Sequence, residues 1–115
     1  MSFDNDGLNY TIEASADLSA EQFRAVVIAA GGAAVAGADV VIAGVLQNDP
    51  EAVGQAANIR SKGVSKGQAG AAVARGARLQ TDANGDFITA AGSNDVGTAL
   101  EAASGAGSIF AVLLD

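Results

Sequence analysis

The residues of this chain that could do chemistry lie mainly between positions 44 and 85. That stretch holds the only proline and five of the six basic residues. Asp82, Asn84 and Asp86 match the first three ligand positions of a calcium loop, D-x-N-x-D. The remainder of that motif fails, because the glycine needed at the sixth position stands at the fourth (Gly85) and Ser93 takes the place of the closing bidentate acid. The segment reads as a hairpin turn. Gly63, Gly67 and Gly70 surround Lys66, yet no G-x-x-x-x-G-K-[ST] is present to cradle a phosphate. Ser61-Lys62 and Ser65-Lys66 offer two Ser-Lys pairs, but neighbours on a strand point to opposite faces, so neither is preset as a dyad. With no histidine and no cysteine, an imidazole base, a thiolate nucleophile and a thiolate metal site are all excluded. No cofactor is expected, and the chain reads as a building part and not as an enzyme.

Composition sets the frame that positions these residues. At 115 residues the chain makes at most one core. Half of it is hydrophobic, but alanine dominates and aromatic residues make up only 4%. An alanine side chain buries a fraction of what leucine or phenylalanine buries, at roughly 25 cal/mol per Å². Burial between copies is therefore expected to supply part of the stability, and a homo-oligomer follows. The net charge of −7 disfavours nucleic acid and anionic membrane as partners. The longest apolar region, residues 25–46, is broken by glycines and Asp39, so no membrane span is expected. The acidic start lacks the basic residues and apolar run of a signal peptide, and an intracellular, soluble product is expected.

Charge is unevenly spread. Residues 1–21 hold Asp4, Asp6, Glu13, Asp17 and Glu21 with no basic residue, whereas residues 60–78 hold Arg60, Lys62, Lys66, Arg75 and Arg78 with no acid. In an extended chain Arg60, Lys62, Val64 and Lys66 share a face, and the basic residues form a stripe. That stripe is either a solvated face or a contact surface for an acidic partner or a second copy.

The element pattern is that of a β protein. Residues 1–7 are polar and read as disordered. LNYTIE at 8–13 alternates, placing Leu8, Tyr10 and Ile12 on one side. It is either the first strand of the core or an arm that adds to a partner's sheet edge. A turn or single helical turn is expected at 17–22, a strand near 23–30 ending in a hairpin at Gly31-Gly32, and a second strand over 39–46. One or two strands follow within 52–66, then a loop with one helical turn at 67–76. ARLQT and DFITA flank the turn Asp82-Ala83-Asn84-Gly85, and GTALEAA and SIFAVLL flank Ser104-Gly105-Ala106-Gly107. The whole predicts a mainly β fold, a small antiparallel β-barrel or sandwich with short hairpins and at most one or two helical turns. A flexible N-terminal arm over residues 1–16 precedes a β-rich domain over 17–115.

DLSAEQFRAVVI at 17–28, GVLQNDP and the AGAAVARG loop within 44–85, and VGTALEAASGAG before the apolar C-terminus together resemble the capsid cement or head decoration proteins of tailed bacteriophages. The resemblance covers residues 17–115. It implies a β-rich virion protein, made in the host bacterial cytoplasm, that attaches to the outer surface of an expanded icosahedral head, binds the major capsid protein, and does so as a trimer. The family supplies no catalytic motif to carry over. Two contacts are expected: Leu8, Tyr10 and Ile12, from their alternation beside the acidic tail, on capsid protein or a neighbouring copy, and Arg60, Lys62 and Lys66 on acidic groups of the shell or the next subunit. The alternative is a surface-displayed ligand- or glycan-binding module. Such modules use exposed aromatic platforms, and the supply here is Phe3, Phe23, Phe87, Phe110 and Tyr10.

Overall fold

The computed structural model describes residues 8–92 and 94–115. The disorder expected for residues 1–7 lies outside the described residues. Among the described residues nine strands, β1 Leu8–Glu13, β2 Ala25–Ala29, β3 Gly32–Val35, β4 Gly44–Leu46, β5 Ala56–Gln68, β6 Arg78–Thr81, β7 Phe87–Thr89, β8 Gly97–Ala99 and β9 Ile109–Leu114, form one antiparallel sheet. Its order is β3-β2-β4-β5-β9-β8-β6-β7, with β1 also on β5. Among the described residues there is no helix, and 17–22 is a turn.

β5 is the hinge of the architecture. Its first half pairs with β1 (Leu8↔Lys62 to Glu13↔Ala56) and its second half with β9 (Gly63↔Leu114 to Gln68↔Ile109). At the handover Gly63 takes φ 93°, a conformation open to glycine at little steric cost. Each half of the sheet then curls back on itself. In the first, Ala14 bridges Ala33 and returns the chain after β1 to β3; in the second, Ala69 bridges Phe87 and returns the chain after β5 to β7. The fold is thus a pair of small curled half-barrels sharing one long strand.

The core forms two clusters, the second of which also takes Ala25, Ala36 and Val45 from the first half. Leu18, Val26, Leu46 and Ile59 fill the first, with Tyr10, Ile12 and Val35 packed against them. Leu79, Phe87, Phe110 and Val112 fill the second. The alanine content has a physical reason here. Tightly curled strands leave room for little more than a methyl group on the inner face, and Ala14, Ala25, Ala33, Ala57 and Ala69 are all fully buried.

β2 pairs on one side with β3, in the hairpin expected at Gly31-Gly32 although GAAV carries no strand signal, and on the other with β4, the last three residues of the strand expected over 39–46. Two expectations need correction. Residues 39–43 form a loop, because Asp39 takes φ 50° and its N–H donates to the Thr81 carbonyl (2.9 Å). β8 and β9 pair as expected, but β8 stops at Ala99, since Ala103 turns away to bridge Val73. The β6–β7 hairpin forms as expected, and one Asp82 oxygen accepts from the backbone N–H groups of Asn84 (2.8 Å) and Asp86 (3.0 Å). That oxygen therefore closes a turn.

Asp86, beside this turn, is buried against Arg24 (2.9 Å). Burial raises its carboxyl above the ordinary range, and the Arg24 charge opposes that shift without cancelling it. The folded state then holds this proton more tightly than the unfolded chain, so its contribution to stability rises as pH falls through the raised pKa. Urea unfolding of wild type and Asp86→Asn between about pH 7 and about pH 4 tests the sign. Wild type is expected to gain on the variant as pH falls; a constant or shrinking difference would contradict the assignment.

Candidate interaction surface

Strand alternation builds the surface. Along β5, Ala57, Ile59, Ser65 and Gly67 are buried, whereas Lys62, Val64 and Lys66 are exposed and Arg60 is half-buried on the same outward side. On β9, Phe110, Val112 and Leu114 point in and Ile109 and Leu113 point out. Val64 faces Leu113 across the strands, which makes an apolar pair between cations. The sequence-predicted stripe of Arg60, Lys62 and Lys66 is therefore one continuous face.

The Ser-Lys pairs split as strand geometry requires. Ser65 is buried and its Oγ accepts from Gln47 Nε2 (2.9 Å) and donates to the Lys66 carbonyl (2.8 Å). Lys66 emerges on the other face, its Nζ 5.7 Å from the Phe23 ring centroid. A cation over an aromatic face at an exposed site is worth about 0.5–1 kcal/mol.

Phe23 is the residue that sequence reasoning missed, having been placed in a strand. It adopts φ 69°, a genuine outlier for a bulky side chain, at a cost of about 1–3 kcal/mol. Its N–H donates to the Leu46 carbonyl (2.8 Å) and its carbonyl accepts from Gln68 N–H (3.0 Å), which fixes the conformation from both sides. The ring is thereby held at the surface beside an open groove of about 570 Å³. Val64 and Ala111 also line the groove, with Arg60 and Lys66 at its edge. No sequence pattern marks a left-handed phenylalanine; it is visible only once Leu46 and Gln68 are seen to hold it.

The basic residues other than Arg75 fall into two groups. Arg24 pairs with Glu21 and Asp86, and Arg78 with Asp95 and Asp115. Hydrogen bonding to Arg78, with a further contribution from the Lys62 charge, holds the Asp115 carboxyl below its ordinary range. Among the described residues no carboxylate lies within ion-pair distance of Arg60, Lys62 or Lys66. Arg60 instead donates to Asn9 Oδ1 (2.8 Å) and to the Val64 carbonyl (2.6 Å).

The three β1 residues separate from one another. Tyr10 and Ile12 pack on the first core cluster, while Leu8 is 58% exposed opposite Lys62. Leu8 therefore joins the basic face, and the other two support the fold. Of the aromatic rings, Phe87 and Phe110 are buried in the second core, and Phe23 and Tyr10 are half-buried. Among the described residues no three metal-ligating side chains come together.

The chain matches the phage cement protein family model over residues 2–114. No curated protein matches it. Among solved structures it is similar to the N-terminal base of the head fibre protein gp8.5 of bacteriophage phi29, with a TM-score of 0.78 and 17% identity, covering 94% of this chain and 95% of that one. At that identity the likeness concerns the fold. The family match spans both curled halves and the basic face between them, and the chain belongs to the phage cement protein family, a family of structural phage proteins.

Proposed function

We propose that the protein attaches to the outer surface of an assembled, expanded bacteriophage head as a trimer and stabilises it by binding, without catalysis. The observation that carries this reading is the family match across nearly the whole chain, residues 2–114. The likeness to the base of a head fibre, a part of a phage head, supports it. So does the outward face of β5 and β9, where Leu8, Val64, Ile109 and Leu113 stand exposed beside Arg60, Lys62 and Lys66.

A ligand that binds the expanded shell and not its alternatives stabilises it by RT ln(1 + [L]/Kd), about 2.7 kcal/mol per site at a hundredfold excess over Kd. Summed over many sites, that resists heat and the outward pressure of packaged DNA. Co-sedimentation with expanded shells lacking the protein, beside unexpanded shells and an unrelated particle, tests the reading. Saturable binding to expanded shells alone is expected. No binding by protein that is folded by circular dichroism would overturn it and favour a glycan-binding module.

A further inference from the structure

The charge asymmetry of the sequence becomes a spatial one along β5. At its start, Glu13, Asp17, Asp49 and Glu51 are all exposed. Backbone bonds bring their segments together: Leu18 N–H donates to the Pro50 carbonyl (2.8 Å), Ala14 N–H to Gln55 (2.8 Å) and Gly54 N–H to Ala14 (2.9 Å). Val53 stands among these acids at 71% exposure. A second surface is the groove of Phe23, Val64 and Ala111, lined also by Gln47, Arg60 and Lys66. One surface is an apolar side chain among carboxylates, and the other an apolar depression among cations.

These surfaces do not meet within one chain. Gln47 lines the groove, and the chain leaving it turns through Asn48 and Asp49 into the acidic loop, none of whose residues lines the groove. Complementary but different surfaces on one molecule make a head-to-tail contact, which closes into a ring where the rotation allows.

We infer that the loop 49–53 of one copy docks in the Phe23–Val64–Ala111 groove of the next. Val53 enters the apolar floor, and Asp49 and Glu51 face Arg60 and Lys66. This rests on the proposed self-association and names its two surfaces. The occupant is a second copy because this chain itself carries the complementary acidic, apolar-tipped loop. The groove keeps its shape in the free subunit because the Leu46 and Gln68 backbone bonds hold Phe23 in place.

The test is sedimentation equilibrium of the free protein at low and high salt, with circular dichroism as a fold check. Lys66 and Glu51 are both exposed, so Lys66→Glu and Glu51→Lys leave the core untouched. Each single change is expected to weaken association by about tenfold or more, and the double variant to recover most of it. An oligomer indifferent to both single changes would overturn the docking surfaces and leave self-association standing. Single changes that weaken only shell co-sedimentation would assign the groove to the shell and overturn the inference equally. A wild type that stays monomeric at all concentrations would overturn the inference together with the trimer.

Discussion

Phe87→Ala is expected to lower unfolding stability by about 3–5 kcal/mol, the range for truncating a buried phenylalanine. Phe87 is fully buried and meets Phe110 edge to face, with centroids 6.5 Å apart at 81°. Such a pair adds about 0.5–1.5 kcal/mol beyond the area it buries. The surroundings are poorly placed to collapse into the space. A Cβ built on Gly67 would lie 2.9 Å from Phe87 Cδ2, so the ring occupies the room that a side chain at 67 would take. Ala69, which bridges Phe87, is too short to fill it.

For a domain whose total stability is about 5–15 kcal/mol, that loss is a large share. Phe87→Leu keeps most of the volume and is expected to cost less than about 1.5 kcal/mol. Urea unfolding monitored by circular dichroism measures both. A loss below about 1 kcal/mol for the alanine variant would mean that the second half does not depend on this ring, contrary to its place in the core.

What could be read from the sequence follows a physical division between local and distant causes. LNYTIE and residues 56–66 were legible because a period of two is imposed by the strand itself, whatever it pairs with. The Asp82–Gly85 turn was legible because its hydrogen bonds lie within five residues. β3 was not, because GAAV has nothing large enough to display an alternation, and its burial depends on β2 and Ala14. The run at 39–43 looks like a strand for a sound reason, since Val40 and Ile42 do pack on the core. Its backbone, however, is directed by Thr81 and Asn94, some forty to fifty-five residues away.

The basic face shows the same division. Arg60, Lys62 and Lys66 were placed on one side by periodicity alone, and the structure keeps them there. The groove that gives them a shape depends on Phe23, whose left-handed backbone is set by Leu46 and Gln68. The separation of Leu8 from Tyr10 and Ile12 likewise depends on a register shift between Leu8 and Asn9 along β5, which alternation does not reveal.

Gly44→Ala is expected to cost about 3 kcal/mol, the upper part of the range for forcing an extra methyl group into a packed site. Gly44 opens β4 where that strand is pressed between β2 and β5, opposite Val26. A Cβ here would lie 2.3 Å from the Arg60 carbonyl oxygen and 2.7 Å from Ile59 Cγ2. The first contact is with backbone, so no rotamer change relieves it, and β4 and β5 must move apart. Movement there disturbs Leu46, which accepts the Phe23 N–H, and Arg60, which edges the groove. The variant should therefore lose binding to shells or to other copies at temperatures where circular dichroism still reports a folded domain. Gly105→Ala is the control, because a Cβ there meets nothing within 4 Å. It is expected to change stability by less than about 0.5 kcal/mol. Equal effects of the two substitutions would show that the approach of β4 to β5 is not what requires glycine at position 44.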